Sequence, residues 1–164
     1  MKFTRILVPT DFSELSCDAV RLALEIGRSD EAVVTLYHVV EYDEVAPHYG
    51  VLIYEFTPKS ERPVLDLIEE RKRMLAAFLG EKFTDLLPHV RIHCEVEVGR
   101  PYRKILERAE AGTDLIVMAT HGRTGLAHAL IGSVTERVVR LASCPVLSVH
   151  PKKIAEQTQI QANR

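Results

Sequence analysis

Long apolar runs are missing from this chain of 164 residues. The stretch Ile6-Leu7-Val8 stops at Pro9, well short of a signal-peptide core, and no later segment is long enough to span a bilayer. A cytoplasmic protein with no membrane partner is the expectation. Charge of one sign is scarce as well. Twenty-one basic residues stand against 23 acidic ones, and the formal net charge is -2. The basic residues form no block longer than Arg71-Lys72-Arg73, itself inside an amphipathic stretch, so the electrostatic footprint of a nucleic-acid binder is lacking. Cysteine is sparse: Cys17, Cys94 and Cys144 are odd in number and far apart in apolar contexts. That pattern suits three free, buried thiols in a reducing compartment and argues against a disulfide framework or a zinc site. Of the seven histidines, those at 38, 48, 89, 93, 128 and 150 likewise show no metal-ligand spacing. Internal repeats, low-complexity tracts and linkers are absent too. One domain over residues 1–150 is expected, followed by a polar tail, 151–164, that frays. The apolar share of 46% suffices to bury a core of that size.

What is present is a regular alternation. Phe3 to Val8 reads as a strand, and Leu15, Ala19, Leu22, Ala23 and Ile26 recur at helical spacing up to a stop at Gly27. Ala32 to Val40 is nearly all apolar, as a strand buried on both faces must be. Glu41 to Lys59 loses periodicity at Pro47, Gly50 and Pro58 and is expected to be a long surface excursion. Pro63 opens a long helix with Leu67, Ile68, Met74, Leu75, Phe78 and Leu79 inward, ending before Pro88. Val90 to Val98 alternates with the period of a strand, and Pro101 opens a short helix with Tyr102, Ile105, Leu106 and Ala109 inward. Leu115 to Met118, a helix from Ser133 and a strand Val146 to Val149 complete five strands and four intervening helical segments. That order calls for an open, doubly wound parallel sheet of Rossmann-like type, strand order 3-2-1-4-5.

In such a sheet ligands sit beyond the C-terminal ends of strands where the winding reverses. Two motifs occupy those ends: Pro9-Thr10-Asp11 after the first strand, and Ala119-Thr120-His121-Gly122 after the fourth. The second continues through nine residues to Gly132-Ser133 and an amphipathic helix. Gly122 and Gly132 let backbone amides approach a ligand, and a helix N-terminus offers unpaired N–H groups and the positive end of its dipole, which suits phosphate. A carboxylate such as Asp11 suits ribose hydroxyls, and apolar walls suit a purine.

These motifs resemble the universal stress protein family over almost the whole ordered length: the opening from Ile6 to Ser13, the strand ending Tyr37-His38-Val39, and the run from Asp114 to Val149. Nucleotide-binding members carry Gly, two residues, Gly, nine residues, Gly and then Ser or Thr. Here Ala119 replaces the first glycine, while Gly122, Gly132 and Ser133 are in place. The resemblance implies the fold of the adenine nucleotide alpha hydrolase-like group and a bound adenine nucleotide, ATP or else AMP or ADP, with Mg²⁺ entering on its phosphates. It implies that Asp11 bonds the ribose, Pro9 and Met118 line the adenine slot, and the Val39 backbone reads the adenine edge. Amides around Gly122, Arg123, Gly132, Ser133 and Val134 would hold the phosphates. Thr10, Ala119 and His121, inside the same two motifs, complete the candidate set. A valine at 132 is expected both to obstruct the anion and to resist glycine-like backbone angles.

Simpler roles stand beside these. Ser133-Val134-Thr135-Glu136 has the form of a capping box, so Ser133 serves the helix, the phosphate or both. Asp11 can cap the first helix alongside Ser13, the glycines can be turn residues, and Arg123 can be a solvated cation. His121 has no partner fixed by sequence that would make it a base and is expected to face solvent. Three function classes follow: a nucleotide-responsive stress or signalling module acting on a protein partner, a slow ATPase or phosphotransferase, and a nucleotide-free interaction protein. The second lacks a visible base, a phosphate-loop lysine or paired metal carboxylates. Finally, Val146-Leu147-Ser148-Val149 lies at a sheet edge with free backbone groups, and pairing across a two-fold axis would close it in a homodimer. Pro145 removes only one donor from that edge.

Overall fold

A computed structural model describes residues 2–45, 62–120 and 131–150. Five parallel strands, β1 (Arg5–Pro9), β2 (Val33–Val40), β3 (Arg91–Val98), β4 (Leu115–Ala119) and β5 (Val146–Val149), form one sheet in the order β3-β2-β1-β4-β5. The helices are α1 (Glu14–Asp30), α2 (Tyr42–Val45), α3 (Arg62–Lys82), α4 (Pro101–Glu110) and α5 (Ser133–Leu141). Successive side chains of a strand point to opposite faces, so the apolar runs of β1, β2 and β4 must be covered on both. Ile6, Val8, Val34, Leu36 and Val117 pack with Ala19, Val20, Leu24, Leu75 and Phe83 from the α1 and α3 side. Leu7, Tyr37, Ile116 and Met118 pack with Ile105, Ala109 and Val138 from α4 and α5.

Local departures from the sequence expectation have local causes. β1 begins at Arg5 rather than Phe3, because the amides of Phe3 and Thr4 donate to the carboxylates of Asp30 and Asp114, each at 2.8 Å, instead of to a strand. Helix α1 runs past Gly27 to Asp30 and is ended by Glu31, whose left-handed backbone (φ 58°) makes the C-cap. Gly27 serves packing instead: a Cβ there would lie 2.4 Å from Val34 Cγ2, so only glycine lets the helix sit this close to β2. Met74 is 38% exposed, with its sulfur against the Arg71 guanidinium, while Leu75 takes the inward position. The three cysteines are free but half-buried rather than buried. The start of the excursion after β2 forms α2, and the remainder, 46–59, lies outside the described residues.

Asp114 fixes β1 against β4 at the N-terminal edge of the sheet. Its carboxylate accepts from Thr4 Oγ1 (2.7 Å) and from the amides of Thr4 and Arg5, and its own amide donates to the Arg5 carbonyl. Burial pushes this carboxyl up, but those donors outweigh it and hold the pKa below the usual aspartate range.

Candidate functional site

The C-terminal ends of the strands separate around β1. Parallel ladders alternate the direction of backbone groups, and the Thr10 amide points to β2, donating to the Tyr37 carbonyl at 2.9 Å. The amide of residue 9 would therefore face β4, and proline has none. The β1–β4 pairing accordingly stops at Leu7↔Ile116, while β1–β2 continues to Pro9↔Tyr37. Pro9 thus opens the sheet at the point where the winding reverses.

A cleft of about 290 Å³ occupies this opening. The strand β1 end contributes Pro9, Thr10 and Asp11; β2 contributes Val39; β4 contributes Met118 and Ala119; the start of α5 contributes Gly132, Ser133 and Val134. Nine residues from four separate segments, all named from sequence, thus meet around one volume. The other three, His121, Gly122 and Arg123, lie outside the described residues.

Sequence reasoning missed Tyr37, His38, Glu41, Glu44, Pro101, Ile105 and Thr135, which also line the cleft. Pro101 and Ile105 share one face of α4 by their spacing of four, a signal already present in the sequence. Tyr37 is fully buried. Burial, with Glu97 nearby, pushes its phenol far above the ordinary tyrosine range, so it remains a neutral hydroxyl. Glu41 and Glu44 form an acidic lip, where Glu44 pairs with Arg71 at 3.1 Å. Sequence alone gave no means of bringing residue 71 to residue 44.

The Asp11 turn is tightly specified. Asp11 Oδ1 accepts from the Ser13 amide (3.1 Å) and hydroxyl (2.6 Å). Ser13, rather than Asp11, caps α1, accepting from the Ser16 amide. Between them Phe12 is held in the left-handed region at φ 64°, a conformation that costs a bulky residue about 1–3 kcal/mol and tends to persist where surroundings over-determine it. Its ring packs on His38 with centroids 4.5 Å apart and on Phe78 at 6.0 Å.

Across the cleft, Gly132 rather than Ser133 is the N-cap of α5, and the cap residue itself makes no side-chain bond, so the capping-box expectation does not hold. Ser133 is the first helical residue and is exposed at the cleft. Gly132 has φ -57° and ψ 146°, a conformation open to any residue, so its backbone angles do not require glycine. Ala119 ends β4 with its carbonyl on the side from which β1 has withdrawn, and Thr135 Oγ1 donates to it at 2.8 Å. Among the described non-glycine residues, positive φ occurs at Phe12 and Glu31 and not at Ala119. The motif position occupied by alanine therefore requires no glycine conformation here.

The model of the universal stress protein family matches residues 2–150. The chain belongs to the universal stress protein family. Universal stress protein MJ0531 of Methanocaldococcus jannaschii is 36% identical over 160 residues, covering 92% of this chain and 85% of the relative. The universal stress protein MJ0577 of the same archaeon is 29% identical over 156 residues, 92% of this chain and 96% of the relative. Its solved structure superimposes with a TM-score of 0.73 at 30% identity, covering 93% and 99% of the two chains. The universal stress protein UspA of Lactobacillus plantarum, at 23% identity and a TM-score of 0.69 over 91% and 99%, shares the fold. No helix among the described residues is long and apolar enough to cross a membrane.

Proposed function

We propose that this universal stress protein binds an adenine nucleotide, ATP or AMP, in the cleft between the β1 and β4 ends, and acts as a stress-response or signalling module whose surface answers to the bound nucleotide. The observation that carries the reading is convergence. An apolar slot (Pro9, Val39, Met118, Ile105), a carboxylate on a rigid turn (Asp11) and a helix N-terminus whose cap residue is glycine (Gly132, Ser133, Val134) meet in one volume. Those three chemistries match the base, the ribose and the phosphates of one molecule. Solved structures of this fold include a universal stress protein in complex with cAMP, at 24% identity, and one from Archaeoglobus fulgidus with dAMP, at 16%. At such identities the likeness is one of fold, and the case for this chain rests on its own residues.

Asp11 would accept ribose hydroxyls, the first-turn amides of α5 would receive phosphate oxygens, and the Ser133 hydroxyl would assist. Among the described residues no three His, Cys, Asp or Glu side chains gather as metal ligands, so Mg²⁺ would enter on the phosphates themselves. A cytoplasmic, reducing setting suits the three thiols. The test is thermal unfolding of protein stripped of ligand. At a hundredfold excess over Kd, ATP, ADP or AMP should add about 2.7 kcal/mol of stability, and no shift with any of them at millimolar concentration overturns the proposal.

We propose further that the chain is a homodimer joined along β5. Among the described residues its one neighbour in the sheet is β4, and no other described strand pairs with the edge formed by Val146, Leu147, Ser148 and Val149, where Leu147 is 38% exposed. Leu141, at the end of α5, is 61% exposed. An antiparallel pair across a two-fold axis would occupy both edges.

A further inference from the structure

We infer that His38 is a positioning residue: by occupying the Thr10 carbonyl it ends the β1–β2 ladder and leaves the Val39 backbone facing the cleft as a hydrogen-bonding edge for a planar heterocycle. The inference rests on the adenine-nucleotide reading of the same cleft and adds what creates its recognition edge.

The geometry is that of a substituted rung. Odd-numbered residues of β2 direct their backbone groups to β1: the Val33 amide donates to the Thr4 carbonyl, and the Tyr37 carbonyl accepts from the Thr10 amide, both at 2.9 Å. The next rung would run from the Val39 amide to the Thr10 carbonyl. That rung is not formed, and the register ends at Pro9↔Tyr37. The Thr10 carbonyl instead lies 2.9 Å from His38 Nδ1. A carbonyl only accepts, so Nδ1 carries the proton and donates.

Thr10 is held where the imidazole meets it. Its hydroxyl lies 2.9 Å from Ser16 Oγ and accepts from the Phe12 amide at 3.1 Å. The Phe12 ring lies against the imidazole, and His38 is 2% exposed. Val40, one residue on, points the other way and accepts from the Gly99 amide, so β2 stays anchored to β3 while its β1-facing edge is released. The Val39 N–H and C=O form an adjacent donor and acceptor on the wall of a cleft otherwise lined there by apolar side chains. A ring bearing an acceptor beside an exocyclic amino group matches that pair, whereas a ring bearing N–H beside a carbonyl would need the opposite order.

The experiment uses the full chain and three variants, His38→Leu, His38→Asn and His38→Gln. Asparagine places an amide donor near the position of Nδ1, and glutamine carries it further out. Amide hydrogen exchange without ligand reads the ladder. In the wild type Val39 should exchange at least about tenfold faster than Tyr37, and in His38→Leu it should slow as its amide takes the vacated carbonyl. Adenosine and AMP should both bind about five- to tenfold more weakly to His38→Leu and His38→Gln, because one base-edge hydrogen bond is lost and the phosphate contacts are not. His38→Asn should restore both readouts. Val39 as protected as Tyr37 in the wild type overturns the inference, as does His38→Leu with unchanged exchange and affinity. Failure of the wild-type chain to bind either ligand overturns the nucleotide assignment and the recognition role with it, whereas exchange still decides what ends the ladder.

Discussion

Thr135→Val removes one hydroxyl from the joint between β4 and α5 while keeping the side chain's size. Thr135 is 4% exposed, and its Oγ1 donates to the Ala119 carbonyl at 2.8 Å. With β1 ended at Pro9, no described strand remains to satisfy that carbonyl, so the variant strands a half-buried acceptor. A stranded acceptor of this kind costs about 1–3 kcal/mol, and packing changes add little because valine is nearly isosteric. For a chain of this size each kcal/mol moves Tm by about 2–4 °C, so a loss of roughly 4–8 °C is expected for the middle of that range. The urea midpoint should fall with the slope unchanged. Thr135→Ser, which keeps the hydroxyl, should recover most of the loss. The same bond ties the first turn of α5 to the sheet, so AMP affinity should fall severalfold in Thr135→Val while adenosine is affected less. A Tm within about 1 °C of wild type would refute the role given to this hydroxyl.

Gly132→Val should fold normally, since its backbone angles suit any residue, yet lose at least about tenfold in ATP affinity by obstructing the phosphates; calorimetry showing unchanged ATP binding removes the phosphate role from the α5 start. Sedimentation at micromolar concentration should give a dimer, and Leu147→Lys should give a monomer; a monomeric wild type, still monomeric when residues 152–164 are deleted, contradicts the β5 interface. Stability should fall in acid. The carboxyls of Glu95, through its bond to Arg108, and of Asp114, through its backbone and Thr4 donors, are held below their ordinary pKa. Their contribution is complete above about pH 4–5 and is lost as pH drops through the lowered values. Asp114→Asn should flatten that acid slope in thermal scans from pH 7 to pH 3, and an unchanged slope would exclude Asp114 as a source.

The strand order and the meeting of Pro9-Thr10-Asp11 with Gly132-Ser133 were legible because both depend on local signals. Apolar runs of strand length mark β1, β2 and β4, glycine and proline punctuate their ends, and the winding rules for parallel sheets leave few arrangements. Other features were not legible, each for a physical reason. Gly27 has the form of a helix stop, but its identity is set by a contact with Val34 that exists only after α1 docks. The sequence from Ser133 to Glu136 satisfies the capping-box pattern, yet the Gly132 amide is tethered to the Thr120 carbonyl at 2.7 Å and the cap falls on Gly132, not on Ser133. His38 carries no sequence signal for this role: its bond to Thr10 depends on where β1 stops relative to β2, which register alone decides. Glu44 belongs to the same class, since its partner Arg71 is 27 residues away on another helix.

On the reading proposed above, the opening made by Pro9 between β1 and β4 holds an adenine nucleotide. Titration calorimetry of ligand-stripped protein with AMP, set beside Asp11→Ala and against GMP, tests it most directly. AMP should bind saturably at one site, Asp11→Ala should lose about tenfold or more in affinity, and GMP should bind more weakly. No heat and no saturation with AMP, or equal affinities for AMP in the wild type and Asp11→Ala, would contradict it.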